Sequence, residues 1–340
     1  MSKVIFVYRF PHYCHGGFAQ SIGARFWHYH TYFDYRWLPT IIKSFLNGLV
    51  LPRGEIYFCE GGSSLAPATV NKLIFRRRKI VELIGDDTFQ MLKKTPETWR
   101  NYFPWYVNLA HRIEARFIDG AMAVSDLAAE SAIEFIRGPI RVGFPYIEED
   151  RYESLSRLSP NLESHNIVSI GRHWVPAKGM DILLEAFKLV RARVSDSTLC
   201  IIGGYPAHWN NVEGVTMTGP TENIASYLEN ASLYVQASRS DAFSVACLES
   251  LQAGLPAMVT EFTGSKVVIV NLGDWFIRRA DAQDIAEGIL KYFNLPASSR
   301  RALSDKAREL ARPFNRQEVC DIFQREFSQL LRDINSASVS

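Results

Sequence analysis

Three stretches of the chain place charged or conformationally free residues where α/β proteins do chemistry. The first is SRSDAFSVACLESLQAGLP, Ser238 to Pro256, where an apolar run, LYVQAS, ends in a polar turn carrying Asp241 and a helix is expected to begin near Phe243. Glu249 falls eight residues after Asp241, inside that helix, flanked by Ala246, Cys247, Leu248, Leu251 and Ala253. A carboxylate in such surroundings is costly unless a partner satisfies it, and the vicinal hydroxyls of a ribose would do so well. Free amides at the helix start, near Phe243, Ser244 and Val245, could hold phosphate or sugar oxygens. A Glu249 that is merely solvated is the alternative.

The second stretch is SIGRHWVPAKGMDILLEAF, Ser169 to Phe187, read as a strand ending at Gly171, a loop carrying Arg172 and Lys178, and a helix. Two cations at the carboxyl end of a parallel strand lie where open α/β sheets bind ligands. A guanidinium fork with a mobile ammonium suits a diphosphate, whose charge needs compensation as it leaves. The order of residues is not that of a P-loop, which needs GxxxxGK followed by Ser or Thr. An ordinary solvated loop is the alternative. The third stretch, RFPHYCHGGFAQSIGARF, has Gly16 and Gly17 just before an expected helix, where they would let backbone amides approach an anion. A tight turn with no ligand would use the same two residues. His12, Cys14 and His15 have ligand chemistry, but no fourth ligand lies nearby, so no metal is expected.

Positioning these residues requires strands that end at the three loops. Apolar runs of strand length recur as VIFVY (Val4 to Tyr8), EIYFC (Glu55 to Cys59), KIVELIG (Lys79 to Gly85) and AMAVS (Ala121 to Ser125), separated by helical patterns. The rhythm resumes after Asn166 with IVSIG, TLCIIGG, GVTMTG, LYVQAS and PAMVT. Short continuous apolar strands alternating with helices indicate parallel sheets covered on both faces. The polar stretch Arg151 to Asn166 is the expected linker between two α/β domains. In Asp181 to Val194, residues Ile182, Leu183, Ala186, Phe187, Leu189 and Val190 share one side at helical spacing. Val319, Ile322, Phe323, Phe327, Leu330 and Leu331 do the same near the C-terminus, before a polar SASVS tail expected to fray.

With 340 residues the chain exceeds the ~250 at which single cores stop growing, so two domains are expected. An apolar fraction of 47% is that of a globular protein, and 38 basic against 36 acidic residues give no general attraction to nucleic acid. Five cysteines without a CxxC pair suggest neither a zinc site nor a disulfide framework. The N-terminus lacks the layout of a secretory signal and no run reaches the ~18 apolar residues of a spanning helix, so a cytoplasmic location is expected, with any membrane contact peripheral.

The pattern S-x-x-[ED]-x-F-x(5)-E-[AS]-x-x-x-G-x-P, present as SRSDAFSVACLESLQAGLP, resembles the signature of glycosyltransferase family 4, the retaining enzymes of GT-B fold. GR-x(5)-KG at Gly171 to Gly179, GP at Gly219 and Pro220, and ARPFNRQEV at Ala311 to Val319 fall in that family's order. Resemblance in the first half is looser. It implies two Rossmann-like domains facing each other across a cleft: an acceptor domain over residues 1–150, a donor domain over 151–313, and a helix over 314–340 crossing back. It also implies that Arg172 and Lys178 bind the donor diphosphate, Glu249 the ribose hydroxyls and Asp241 the transferred sugar. Gly219, Pro220 and Thr221 would lie against the base, and no metal or other cofactor would be needed beyond the nucleoside-diphosphate sugar. Asp86, in VELIGDDTF, is the first-domain candidate to face the donor sugar, with Asp87 the alternative. The chain departs from the pattern at Asp241, where glutamate is usual, at Ser244, where glycine is usual, and in a loop one residue longer between Arg172 and Lys178.

The implied reaction is retaining transfer of a hexosyl group to a hydroxyl of a glycan or lipid-linked acceptor in polysaccharide, lipopolysaccharide or glycolipid synthesis. A nucleotide-sugar epimerase of the same fold and a non-catalytic nucleotide-sugar-binding subunit are the alternatives. Arg76, Arg77, Arg78 and Lys79, with the aromatics of Phe26 to Trp37 and Tyr102 to Tyr106, suggest that the first domain docks on the inner leaflet of an anionic membrane. Solvated basic residues beside core aromatics are the alternative.

Overall fold

The apolar runs become strands of two parallel sheets in the computed structural model of the chain, which describes residues 3–9, 12–28, 39–75, 78–94, 104–171, 176–203 and 212–337. The chain divides into two compact units, one formed by Met1–Pro145 with Arg316–Ser340, the other by Tyr146–Asn315. No helix among the described residues is long and apolar enough to cross a membrane. None of the five cysteines, Cys14, Cys59, Cys200, Cys247 and Cys320, forms a disulfide.

In the first unit, β1 (Val4–Tyr8), β2 (Arg25–His28), β3 (Ile56–Glu60), β4 (Lys79–Ile84), β5 (Gly120–Ala123) and β6 (Ile140–Val142) form one sheet in the order β2-β1-β3-β4-β5-β6. Every pairing is parallel, because a helix or long crossover separates successive strands. The crossovers include α1 (Tyr13–Ser21), α2 (Thr40–Val50), α3 (Gly61–Ile74), α4 (Thr88–Lys93), α5 (Trp105–Ala115) and α6 (Asp126–Ala132). The C-terminal helix, Arg316–Ala337, completes this unit. Its Phe323 ring stacks on Phe18 at 4.0 Å and Phe327 packs edge-on against Phe58. Phe323, Phe327, Leu330 and Ile334 are buried, and each such side chain contributes roughly 1.5–3 kcal/mol. Arg141 anchors the same helix through Glu326 and Asp333, both at 2.9 Å.

The second unit repeats the architecture with β7 (Asn166–Ile170), β8 (Thr198–Ile202), β9 (Val215–Gly219), β10 (Leu233–Gln236), β11 (Ala257–Thr260) and β12 (Ile277–Arg278), in the order β12-β11-β10-β7-β8-β9. Its helices are α7 (Glu149–Ser156), α8 (Met180–Arg191), α9 (Ala225–Glu229), α10 (Val245–Gln252), α11 (Lys266–Ile269), α12 (Ala282–Phe293) and α13 (Ala297–Ala311).

Several expectations are corrected by this arrangement. The stretch Arg151 to Asn166 is not a linker throughout, since α7 takes up Arg151 to Ser156. Acidic residues at the helix start and the buried Leu155 stabilise that turn, which polarity alone conceals. Leu189 and Ile322 are each 40% exposed, outside the stripes expected to bury them, because the buried face of a surface helix is narrower than the full apolar set. The C-terminal helix runs on to Ala337, so Ser336 is helical and its hydroxyl donates back to the Arg332 carbonyl. Glu82, in the middle of the apolar strand KIVELI, is fully buried, and neither carboxyl oxygen has a hydrogen-bond partner. Burial above all, with the nearby Asp86 adding to it, raises its pKa well above the usual carboxylate range.

Candidate functional site

The candidate site is built at the carboxyl end of β10. The strand stops at Gln236, a polar turn follows, and α10 starts at Val245 with Ser244 as its N-cap, whose hydroxyl accepts from the Cys247 N–H. The helix therefore begins two residues later than Phe243, and the amides of Phe243 and Ser244 precede it. Phe243 is buried, its ring 6.5 Å from Phe314, and Val245 is half-buried.

The loop carrying Lys178 is pressed against this turn. Gly179 adopts φ +63°, and a Cβ there would fall 1.8 Å from the Ala237 carbonyl oxygen, so glycine permits the close approach. The Ala177 carbonyl accepts from the N–H groups of Arg239 and Ser240, at 2.6 and 3.1 Å. This docking brings Lys178 Nζ within 2.6 Å of Asp241 Oδ2, a pairing of residues far apart in sequence. Asp241 is buried, whereas the Lys178 side chain is 30% exposed. Arg172 lies outside the described residues.

Glu249 is 3% exposed on α10, and its partner in the structure is Arg151 of α7, whose Nη1 donates to Oε1 at 2.8 Å. Gln252 ties the same two helices, donating to the Tyr152 carbonyl at 3.0 Å. Burial raises the Glu249 pKa above its ordinary value, while the Arg151 guanidinium pulls it back down. Arg151 belongs to the stretch expected to be a linker, and only its proximity in space identifies it. Gly219 ends β9 with φ +75° and open space where a Cβ would stand; Pro220 is exposed, and Thr221 closes the turn by accepting from the Asn223 N–H.

In the first unit, Gly16 and Gly17 do not precede a helix but lie inside α1, whose N-cap is His12. The ring nitrogen of His12 accepts from the Cys14 N–H and starts the helix earlier than the two glycines suggest. Gly17 is buried, and Gly16 has nothing within 4 Å of the place a Cβ would take. His15 packs against Phe6 at 5.4 Å, and burial depresses its pKa to about 3. Among the described residues no His, Cys, Asp or Glu cluster is spaced to hold a metal ion. Asp86 is exposed just past β4, where one carboxyl oxygen accepts from the Thr88 N–H at 2.9 Å and the other lies over Gly61. His111 pairs with Glu114 on α5 at 3.0 Å.

Residues 164–294 match the family described as glycosyl transferases group 1. An uncharacterized glycosyltransferase of Methanocaldococcus jannaschii is 25% identical over 171 residues, 47% of each protein. A phosphatidyl-myo-inositol mannosyltransferase of Propionibacterium freudenreichii is 30% identical over 162 residues, 45% of this chain and 42% of the relative. The aligned region thus spans less than half of either curated relative. Among solved structures, Anabaena HepE in complex with UDP-glucose superposes with a TM-score of 0.72 at 15% identity, over 97% of this chain and all of that one. The α,α-trehalose 6-phosphate synthase of Burkholderia multivorans gives 0.68 at 10% identity, over 100% and 98%. The chain therefore has the two-domain α/β fold of the GT-B glycosyltransferases, and its second unit is similar in sequence to glycosyl transferases group 1.

Proposed function

We propose that the chain transfers a hexosyl group from a nucleoside-diphosphate sugar to a hydroxyl acceptor, with retention at the anomeric carbon. The observation that carries this reading is the Lys178–Asp241 pair at the end of β10, with the buried Glu249 on the helix that follows. Lys178, together with Arg172, would compensate the diphosphate as its bond to the anomeric carbon breaks. The acceptor oxygen would form its bond on the same face and pass its proton to the departing phosphate oxygen, so positioning and charge stabilisation dominate. Glu249 would accept from the ribose hydroxyls, exchanging part of its contact with Arg151 for them. Asp241 would meet the transferred sugar, and the Gly219 to Thr221 turn and the amides at Phe243, Ser244 and Val245 would contact the nucleotide. For the first unit we propose Asp86 as a sugar contact and the open space over Gly16, beside Gly17, as room for the donor. The solved HepE complex with UDP-glucose supports a nucleotide sugar as donor, and the name of the phosphatidyl-myo-inositol mannosyltransferase supports a lipid-linked acceptor in glycolipid synthesis.

The test is incubation of the protein with UDP-, GDP- and ADP-sugars while diphosphate release and donor isomerisation are followed. Slow release of nucleoside diphosphate without isomerisation is expected. Isomerised donor would favour an epimerase, and tight binding with neither reaction would favour a non-catalytic subunit.

A membrane-facing role for the first unit has its own observation. On helices α2 and α5, each of which packs against α3, Phe45, Leu49, Leu109 and Ile113 are about half exposed, with Phe75 just past α3, and Trp105 is 79% exposed. Arg53, Arg112 and Arg116 are exposed in the same segments. Apolar stripes with interfacial aromatics and basic residues suit an anionic bilayer surface. The signals read from sequence fare differently: residues 29–38, 76, 77, 102 and 103 lie outside the described residues, Trp27 is buried, and Arg78 donates to the Gly54 carbonyl. Vesicles containing anionic lipid are expected to sediment the protein at low salt, and Trp105→Glu with Leu109→Glu to weaken this about tenfold or more, since two buried apolar side chains contribute several kcal/mol. Parent protein that stays in the supernatant at every lipid composition overturns the docking surface.

A further inference from the structure

Gln236 occupies the last position of β10, is 6% exposed, and uses the whole capacity of its amide. Its Nε2 donates to Ser238 Oγ at 2.9 Å and to Asp241 Oδ2 at 2.6 Å. Its Oε1 accepts from Tyr234 OH at 2.9 Å and from Ser244 Oγ. A primary amide offers two donors and two acceptor sites, so this one is fully satisfied. The orientation is forced, because the reverse would set the carbonyl oxygen against the Asp241 carboxylate.

The four bonds converge on the elements that would handle the donor. The Asp241 main chain is fixed separately, its N–H donating to the Phe262 carbonyl and its own carbonyl accepting from Gly264 N–H, so that the side chain is held by Gln236 and Lys178. Both of those bonds fall on Oδ2. Ser244, where the resemblance leads one to expect glycine, is both the N-cap of α10 and a donor to Gln236.

We propose that Gln236 is a positioning residue of the transfer site: it holds Asp241 Oδ2 so that Oδ1 faces the transferred sugar, and it locks the start of α10 in register with that carboxylate. When Lys178 turns toward a diphosphate, Gln236 is the partner that keeps Asp241 in place. This rests on the donor-site reading above and extends it to a residue with no charge and no expected contact with substrate.

The experiment compares the parent with Gln236→Leu, Gln236→Glu and Ser244→Gly. It uses the UDP-, GDP- or ADP-sugar that the parent turns over fastest, with calorimetry on the matching nucleoside diphosphate. In Gln236→Leu, kcat is expected to fall about 100-fold through misplacement of Asp241, while diphosphate affinity stays within about threefold because Lys178 and Glu249 are untouched. In Gln236→Glu the introduced carboxyl repels Asp241 when ionised and donates to it when protonated, so the relative kcat is expected to rise as pH falls, unlike the parent's. A purely structural role would not produce that profile. Ser244→Gly removes one of the four bonds and is expected to lower kcat less than Gln236→Leu; it serves if the leucine variant does not fold. Either Gln236→Leu keeping kcat within threefold of the parent, or affinity falling in step with kcat in folded variants, overturns the proposal. Parent protein that binds none of the three nucleoside diphosphates overturns the donor-site reading itself, and the positioning role with it.

Discussion

Lys178→Met is expected to lower kcat for sugar transfer by about a thousandfold, the size seen when a preorganised group facing a developing anion is removed. The ammonium lies 2.6 Å from Asp241 Oδ2 on a side chain that is 30% exposed, and in the proposed donor complex it would turn from that carboxylate to phosphate. The loop is pinned on both sides, by the glycine at 179 against the Ala237 carbonyl and by the Ala177 carbonyl accepting from two amides. Methionine keeps the length and packing of the side chain but leaves the leaving diphosphate uncompensated. Because charge builds on the diphosphate mainly in the transition state, kcat should fall more than nucleoside-diphosphate affinity. Steady-state kinetics with the preferred nucleotide sugar measure both. A loss of less than tenfold in kcat would remove Lys178 from the charge-compensating role.

Glu249→Ala is expected to weaken nucleoside-diphosphate binding by about a hundredfold, since hydrogen bonds to a charged group contribute roughly 1.5–3 kcal/mol each and tenfold in affinity is about 1.4 kcal/mol. Arg151 is about one-third exposed and can rehydrate when its partner goes, so the loss should appear in binding more than in folding. The pH dependence follows from the same pair. Burial raises the Glu249 pKa and Arg151 opposes the rise, so the carboxylate proposed to accept from ribose takes a proton as the solution is acidified, and affinity is expected to fall toward acid pH. Removing the guanidinium with Arg151→Ala lets burial act unopposed, so the acid-side loss should begin at a higher pH than in the parent. Calorimetric titration across pH, with parent and both variants, checks the two statements together. Equal affinity for parent and Glu249→Ala would count directly against the ribose assignment.

The parts of the molecule legible in advance are those set by interactions between near neighbours in the chain. Alternating strand-length apolar runs and helical stripes identify a parallel α/β architecture because side-chain period reports local backbone geometry. Glu249 stood out because a carboxylate among apolar neighbours needs a partner, and Asp241 because of its place in the family pattern that the segment resembles. Where local cues competed, the reading failed: Gly16 and Gly17 suggested a turn, but His12 caps a helix ahead of them, and the polar Arg151 to Ser156 stretch is the helix that supplies Glu249 with its guanidinium.

What the sequence by itself determined was the parallel α/β fold class and the repetition of that architecture in two domains, since periodicity and composition suffice for both. Only the tertiary structure decided who pairs with whom: Lys178 with Asp241, Arg151 with Glu249 across 98 residues, and Gln236 with four partners at once. Ion pairs and hydrogen bonds depend on separations of about 3 Å between groups brought together by packing. Such distances leave no period in the chain, so the residue that holds the candidate site together, an uncharged glutamine at the end of a buried strand, carries no sequence signal of its own.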